Sequence, residues 1–139
     1  MGKLERFGVS MPQALAQAFD RVIREKGYTN RSEAIRDIIR NYLVEEQWTA
    51  HEGEGLGTVT LVYDHHAHDL AEVLTELQHA HHACVVCSQH VHLDEHNCLE
   101  TIVLRGSPVQ VHHLAETFIG TRGVKHGRLV CTTTGRDIV

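Results

Sequence analysis

From Thr58 onward the apolar residues change period in an order that leaves few folds open. Thr58 to Tyr63 is rich in β-branched residues and reads as a strand. Asp69, a capping type, precedes Leu70, Val73, Leu74 and Leu77 at helical spacing. Ala83–Leu93 and Cys98–Leu104 read as two strands around Asp94–Asn97, a polar run of turn formers. Pro108 opens a second helix with Val111, Leu114, Phe118 and Ile119 inward, Gly123 stops it, and Val124–Thr132 is the last strand. The order β-α-β-β-α-β is that of the ferredoxin-like split βαβ unit, a fold that assigns no function by itself.

Chemistry concentrates in the hairpin of that unit. Side chains two apart on a strand share a face, so His90 and His92 point one way and Val91 the other. A turn at Asp94–Asn97 brings Cys98 beside His92, and two imidazoles and a thiolate then converge. Such donors suit a late first-row divalent metal and not magnesium or calcium. Surface histidines beside a buried cysteine are the ordinary alternative; a cysteine at hairpin distance favours the site. A fourth donor is open to His79, His81 or His82, from the same chain or a neighbouring one, and spacing does not choose among them. Cys84-Val85-Val86-Cys87 has the spacing of a zinc knuckle, but residues three apart on a strand face opposite ways, so these cysteines are expected to pack on either side of a sheet. His65, His66 and His68 are expected to be solvated, and His112 and His113 to sit at a helix rim. There is no nucleophile elbow, P-loop or dinucleotide fingerprint, and no enzymatic role is expected.

The first third is a different kind of module. Phe7, Val9 and Met11 alternate with Arg6, Gly8 and Ser10 as in a short half-buried strand. Pro12 starts a helix carrying Leu15, Phe19, Val22 and Ile23, and Gly27 caps its end. Asn30 and Glu33 form a capping box at the start of a second helix with Ile35, Ile38, Ile39 and Tyr42. Such a short strand-helix-helix unit is too small for its own core, and its strand has nothing to pair with. Both defects vanish if two copies pair their strands into an antiparallel ribbon, the architecture that lays strands in the major groove of DNA. Arg6, Gly8 and Ser10 would face base edges, and Arg31 and Ser32 would meet phosphate at a helix N-terminus. Residues 1–46 are expected to form this DNA-binding domain, 47–57 a linker with Trp48 and three glycines that acts as hinge, and 58–139 the metal-binding domain.

Composition divides the chain in the same way. All 13 histidines lie at or after His51. Residues 1–44 hold eight Lys/Arg against five Asp/Glu, and residues 45–139 hold five against thirteen. A basic module joined to an acidic, histidine-rich one implies two different partners. No run is long and apolar enough for a bilayer span and no signal peptide is evident, so a cytoplasmic location without membrane contact is expected. There the four cysteines stay reduced, available to metal rather than to disulfides.

Three stretches, in order and spacing, carry a family resemblance: Gly27 to Asp37, Gln78-His79, and His90-Val91-His92 with Cys98-Leu99-Glu100. From about Arg6 to Cys131 the chain resembles the nickel-responsive transcriptional regulators, which join a dimeric ribbon-helix-helix domain to a ferredoxin-like, ACT-type domain, an α+β architecture. The resemblance implies a square-planar Ni(2+) site, one per subunit, from His90, His92 and Cys98 with His79 of another subunit. It implies a homotetramer built as a dimer of dimers. Gln78, Glu100 and Tyr63 match residues beside that site, and Glu33 and Asp37 match carboxylates that bind K(+) between the domains. By resemblance the function is nickel-dependent repression of nickel-uptake genes through palindromic operator DNA. The alternative is a metal-storage or metal-delivery protein whose first module only dimerises. Gly8 departs from better-known members, which carry a base-reading side chain there, and Asp64–His68 lacks basic residues that touch the DNA backbone in some members.

Overall fold

The computed structural model describes residues 2–139. The chain divides between Tyr42 and Leu43 into two compact units, a boundary that falls inside a helix.

In the first unit, α1 (Gln13–Glu25) and α2 (Arg31–Thr49) follow the expected spacing. Gly27, at φ +83°, closes α1: its N–H donates to Arg24 O and that of Tyr28 to Ile23 O, each at 3.0 Å. This double bond pattern needs a left-handed residue, which glycine supplies without a Cβ clash. Asn30 caps α2 as expected, its Oδ1 accepting the Glu33 N–H at 2.9 Å. The reciprocal half of the box is different, because the Glu33 carboxylate accepts from the Thr29 hydroxyl.

The strand expected at Arg6–Met11 is not formed in the single chain. Phe7 is 72% and Val9 62% exposed, and on the helices Leu15, Ile38 and Tyr42 are exposed as well. Among the described residues of the first unit, only Ile23 and Ala34 are buried. A strand is defined by its hydrogen-bonded neighbour, and one copy provides none. The apolar stripe has the pattern for a core but lacks the second half of it.

In the second unit, β1 (Gly55–Asp64), α3 (Leu70–Ala80), β2 (Val85–His92), β3 (Asn97–Gly106), α4 (Pro108–Ile119) and β4 (Val124–Thr133) occur in the expected order. The strands form one antiparallel sheet in the order β2-β3-β1-β4. Val59, Leu61 and Tyr63 of β1 and Cys98, Ile102 and Leu104 of β3 are buried with Leu70 and Leu74 of α3 and Val111, Leu114 and Phe118 of α4. Each such aliphatic or aromatic side chain contributes about 1.5–3 kcal/mol on leaving water. Ser107 and Gln110 form a full capping box at the start of α4, with Pro108 in the first turn.

Three expectations change here. Asp69 makes no capping bond to α3; it sits at φ +62°, and its carboxylate lies 3.2 Å from His68 Nε2. Cys84 and Cys87 do not flank the sheet as a pair: Cys84 precedes β2 and is half-buried, Cys87 is exposed, and the β2–β3 register slips between Val85 and Cys87. Finally, the stretch read as a hinge is largely ordered. α2 runs to Thr49 and β1 starts at Gly55, which leaves residues 50–54 as the connection. Trp48 is buried, donates from Nε1 to Thr132 O at 2.9 Å and meets the His112 ring edge-on at 5.3 Å. Gly55 lies against it so closely that a Cβ there would stand 2.6 Å from the indole.

Candidate metal centre

The hairpin register sets the site. His92 pairs directly with Cys98, His90 with Glu100, and Cys98 in turn with Tyr63 on β1. Cross-strand partners share a face, so both histidines, the thiol, the carboxylate and the phenol lie on the face that carries the core. The His90 and His92 rings are 5.0 Å apart between centroids. Both are exposed, while Cys98 is buried at the level of the sheet.

Full convergence of these donors within one chain is not observed. Among the described residues, no three His, Cys, Asp or Glu side chains are gathered round one point. The Cys98 thiol donates to Tyr63 O at 3.4 Å, and His90 Nδ1 lies 3.4 Å from the Tyr63 hydroxyl. Two imidazoles and a thiol on adjacent strands remain a donor set suited to nickel or copper. Burial pushes the Cys98 thiol above its ordinary range, so at neutral pH it is protonated.

Around these donors is a satisfied polar network. Glu100 is 7% exposed. Its Oε2 accepts from the Tyr63 hydroxyl at 2.6 Å and its Oε1 from Gln78 Nε2 at 2.7 Å. Burial, then the bond to Glu100, pushes the Tyr63 phenol well above its ordinary range, so it is a standing donor. Gln78 thereby ties the end of α3 to β3. His79, the next residue on α3, is exposed.

The histidines after β1 are not simply solvated. The His65 ring stands edge-on to His92 at 5.0 Å and beside His66 at 4.1 Å, and His66 meets His96 at 5.7 Å. His65 Nδ1 is buried without a hydrogen-bond partner. The contact joins the loop after β1 to the hairpin tip, a pairing that only the tertiary structure reveals. His68 is exposed, as expected.

The other expected residues lie in the first unit. Arg6, Gly8 and Ser10 are exposed in the N-terminal segment, which forms no helix or strand. Arg31 is bidentate to Asp20, at 2.6 and 2.5 Å, and this pair holds the Asp20 carboxyl below its usual range. Ser32 is exposed in the first turn of α2. Asp37 accepts from the Tyr28 hydroxyl at 2.8 Å and from Arg40 at 2.9 Å, and Glu33 accepts from Thr29. Both carboxylates expected to hold potassium therefore have protein partners.

Comparison with known proteins matches both units. Residues 56–132 match the family model described as the NikR C terminal nickel binding domain. Residues 5–46 match the ribbon-helix-helix protein, copG family. A provisionally named nickel-responsive regulator of Geobacter sulfurreducens is 57% identical over 138 residues, covering 99% of each chain. That of Geobacter sp. strain M21 is 56% identical over the same span, again covering 99% of each. One from Thermococcus onnurineus is 51% identical over 137 residues, also at 99% of each chain. Among the described residues no helix is long and apolar enough to cross a membrane.

Proposed function

Because this chain belongs to the nickel-responsive regulators, with a ribbon-helix-helix DNA-binding domain and a nickel-binding domain, we propose that it is a homotetrameric repressor of nickel-uptake genes. In this reading His90, His92 and Cys98 of one subunit and His79 of another hold one Ni(2+) per subunit. The observation that carries it is the direct pairing of His92 with Cys98, with His90 one step along the same face.

Nickel, if bound there, would supply a divalent charge able to hold donors from two subunits together. The chain's own residues do the rest. To serve as a ligand, Cys98 would give up its proton and its bond to Tyr63 O. Glu100 holds Tyr63 and Gln78, and through the Tyr63 hydroxyl, 3.4 Å from His90 Nδ1, would help to orient that imidazole. Because Gln78 and His79 are neighbours, the bond that fastens Gln78 to Glu100 also sets where the end of α3 presents His79. Ordering the metal domains then favours the conformers in which two ribbons meet two operator half-sites. By linkage, operator DNA raises nickel affinity by the same factor. A potassium ion at Glu33 and Asp37 belongs to the same proposal, exchanging the Thr29 and Tyr28 contacts for the cation.

On the ribbon, Arg6 and Ser10 read base edges, and Arg31 and Ser32 hold phosphate. Their exposure and the basic charge of residues 1–44 support this over metal storage, which has no use for either. The test is a gel shift on DNA from the chain's own gene neighbourhood, with and without stoichiometric nickel. A nickel-dependent shift is expected. Tight nickel binding with no shift on any such fragment would support storage or delivery instead.

A further inference from the structure

The turn at the tip of the β2–β3 hairpin is tied down on three sides. Asp94 Oδ1 accepts from the backbone N–H groups of His96 and Asn97, each at 2.8 Å. The Asn97 side-chain amide donates to Asp94 Oδ1 at 3.1 Å and Oδ2 at 2.9 Å. Its carbonyl oxygen accepts from Lys125 Nζ, on β4, at 2.6 Å. The amide thus lies between a carboxylate and an ammonium, which fixes its orientation. From the other side the His65 N–H donates to His96 O at 3.0 Å, and the Leu93 N–H donates to Asn97 O at 2.9 Å. The Lys125 bond spans β1, because β4 is not the neighbour of β3 in the sheet.

This turn joins His92 directly to Cys98. We propose that Asp94, acting through Asn97 and Lys125, is a positioning residue for the metal centre: it holds the two ends of the turn so that His92 and Cys98 face each other before metal arrives. The inference rests on the reading of His92 and Cys98 as nickel ligands. A free turn of this length would have to be ordered during binding, at a cost in conformational entropy that lowers affinity. Here the ordering is part of the folded chain. Both oxygens of Asp94 are already occupied by turn donors, so the residue serves the site as a brace and not as a ligand.

The test uses the full-length protein and nickel chloride titrated against a competing chelator, followed at the thiolate-to-nickel charge-transfer band. Asp94→Ala should weaken nickel binding by about 10–100-fold, the range for residues that support metal ligands, and leave the band in place at saturation. Asp94→Asn keeps an acceptor for the two backbone amides and should recover most of the loss. Lys125→Met removes only the outer tie and should give a smaller loss in the same direction. In metal-free protein, hydrogen exchange at the His96 and Asn97 amides should quicken in Asp94→Ala. If those amides quicken while nickel affinity equals the parent's, the inference is overturned. If Asp94→Ala does not fold, Lys125→Met decides, and parental affinity in that variant overturns it too. A parent band that survives Cys98→Ala overturns both this inference and the ligand assignment beneath it, whereas a band lost in Cys98→Ala with parental affinity in Asp94→Ala overturns the inference alone.

Discussion

His92 and Cys98 are direct cross-strand partners in the β2–β3 hairpin, one exposed and the other fully buried. The pair therefore places a solvent-accessible imidazole beside a thiol that burial keeps protonated.

That asymmetry predicts a pH dependence. The Cys98 pKa is raised, so the thiol stays protonated further above neutrality than a free cysteine, and ligation must release its proton. Apparent nickel affinity should fall as pH falls, by about tenfold per pH unit for each proton released. Cys98→Ala should remove the near-ultraviolet thiolate band and most of the affinity, whereas Cys87→Ala, an exposed residue, should not. Titrations of both variants across neutral pH check this. An unchanged spectrum in Cys98→Ala would refute the assignment.

Trp48 gives a stability prediction. It is the single tryptophan, 7% exposed and bonded to Thr132 O. Trp48→Ala should destabilise the second unit by about 3–5 kcal/mol, the usual cost of truncating a buried large aromatic. Gly55→Ala forces a methyl against the indole and should cost about 1–3 kcal/mol by overpacking. Denaturant unfolding of the metal-free protein, followed by circular dichroism for the first variant and tryptophan fluorescence for the second, measures both. Melting equal to the parent's in either would show that α2 ends independently of the sheet.

These two residues also mark where the sequence stops being readable. The sheet unit was legible because its apolar periods switch cleanly, and the hairpin register followed from turn formers at Asp94–Asn97. Trp48 was not: it sits in a polar run whose glycines look like a hinge, and only the packing of Gly55 against the indole shows that this glycine serves close approach. Asp69 has the composition of a cap but a left-handed backbone, which composition does not report. The contacts of His65 with His92 and of Lys125 with Asn97 join segments far apart in the chain. The N-terminal strand had the right alternation but no partner within one copy.

If Arg31 holds phosphate as proposed, the Asp20–Arg31 pair would bear on DNA affinity. Arg31 is bidentate to Asp20 in the single chain, so a phosphate must share or displace that carboxylate. Arg31→Ala should weaken binding to all sequences alike and lower the salt slope by about one. Asp20→Asn removes the competing charge and should tighten binding at low salt, an advantage that shrinks as salt rises. Fluorescence anisotropy across a salt series with operator and random DNA separates these effects. If Asp20→Asn weakens binding instead, the pair is needed to hold Arg31 in place.

Gly8 lies between Arg6 and Ser10 on the expected base-reading face, and a Cβ there would meet nothing within 4 Å in the single chain. Glycine offers no donor or acceptor at that step. Arg6 should therefore carry most direct readout through an arginine–guanine contact, worth about 1–3 kcal/mol of discrimination. Arg6→Ala should cut operator binding and flatten preference at its base. The rival account is that glycine permits close approach of the ribbon backbone to DNA, where any side chain clashes. Gly8→Thr, selected over randomised half-sites with nickel present, distinguishes them. Since nothing in the chain crowds the position, the variant should fold, keep operator binding and acquire a new base preference at that step. If it binds no sequence while assembly and the nickel band stay intact, close approach is the reason for the glycine and relaxed readout is wrong.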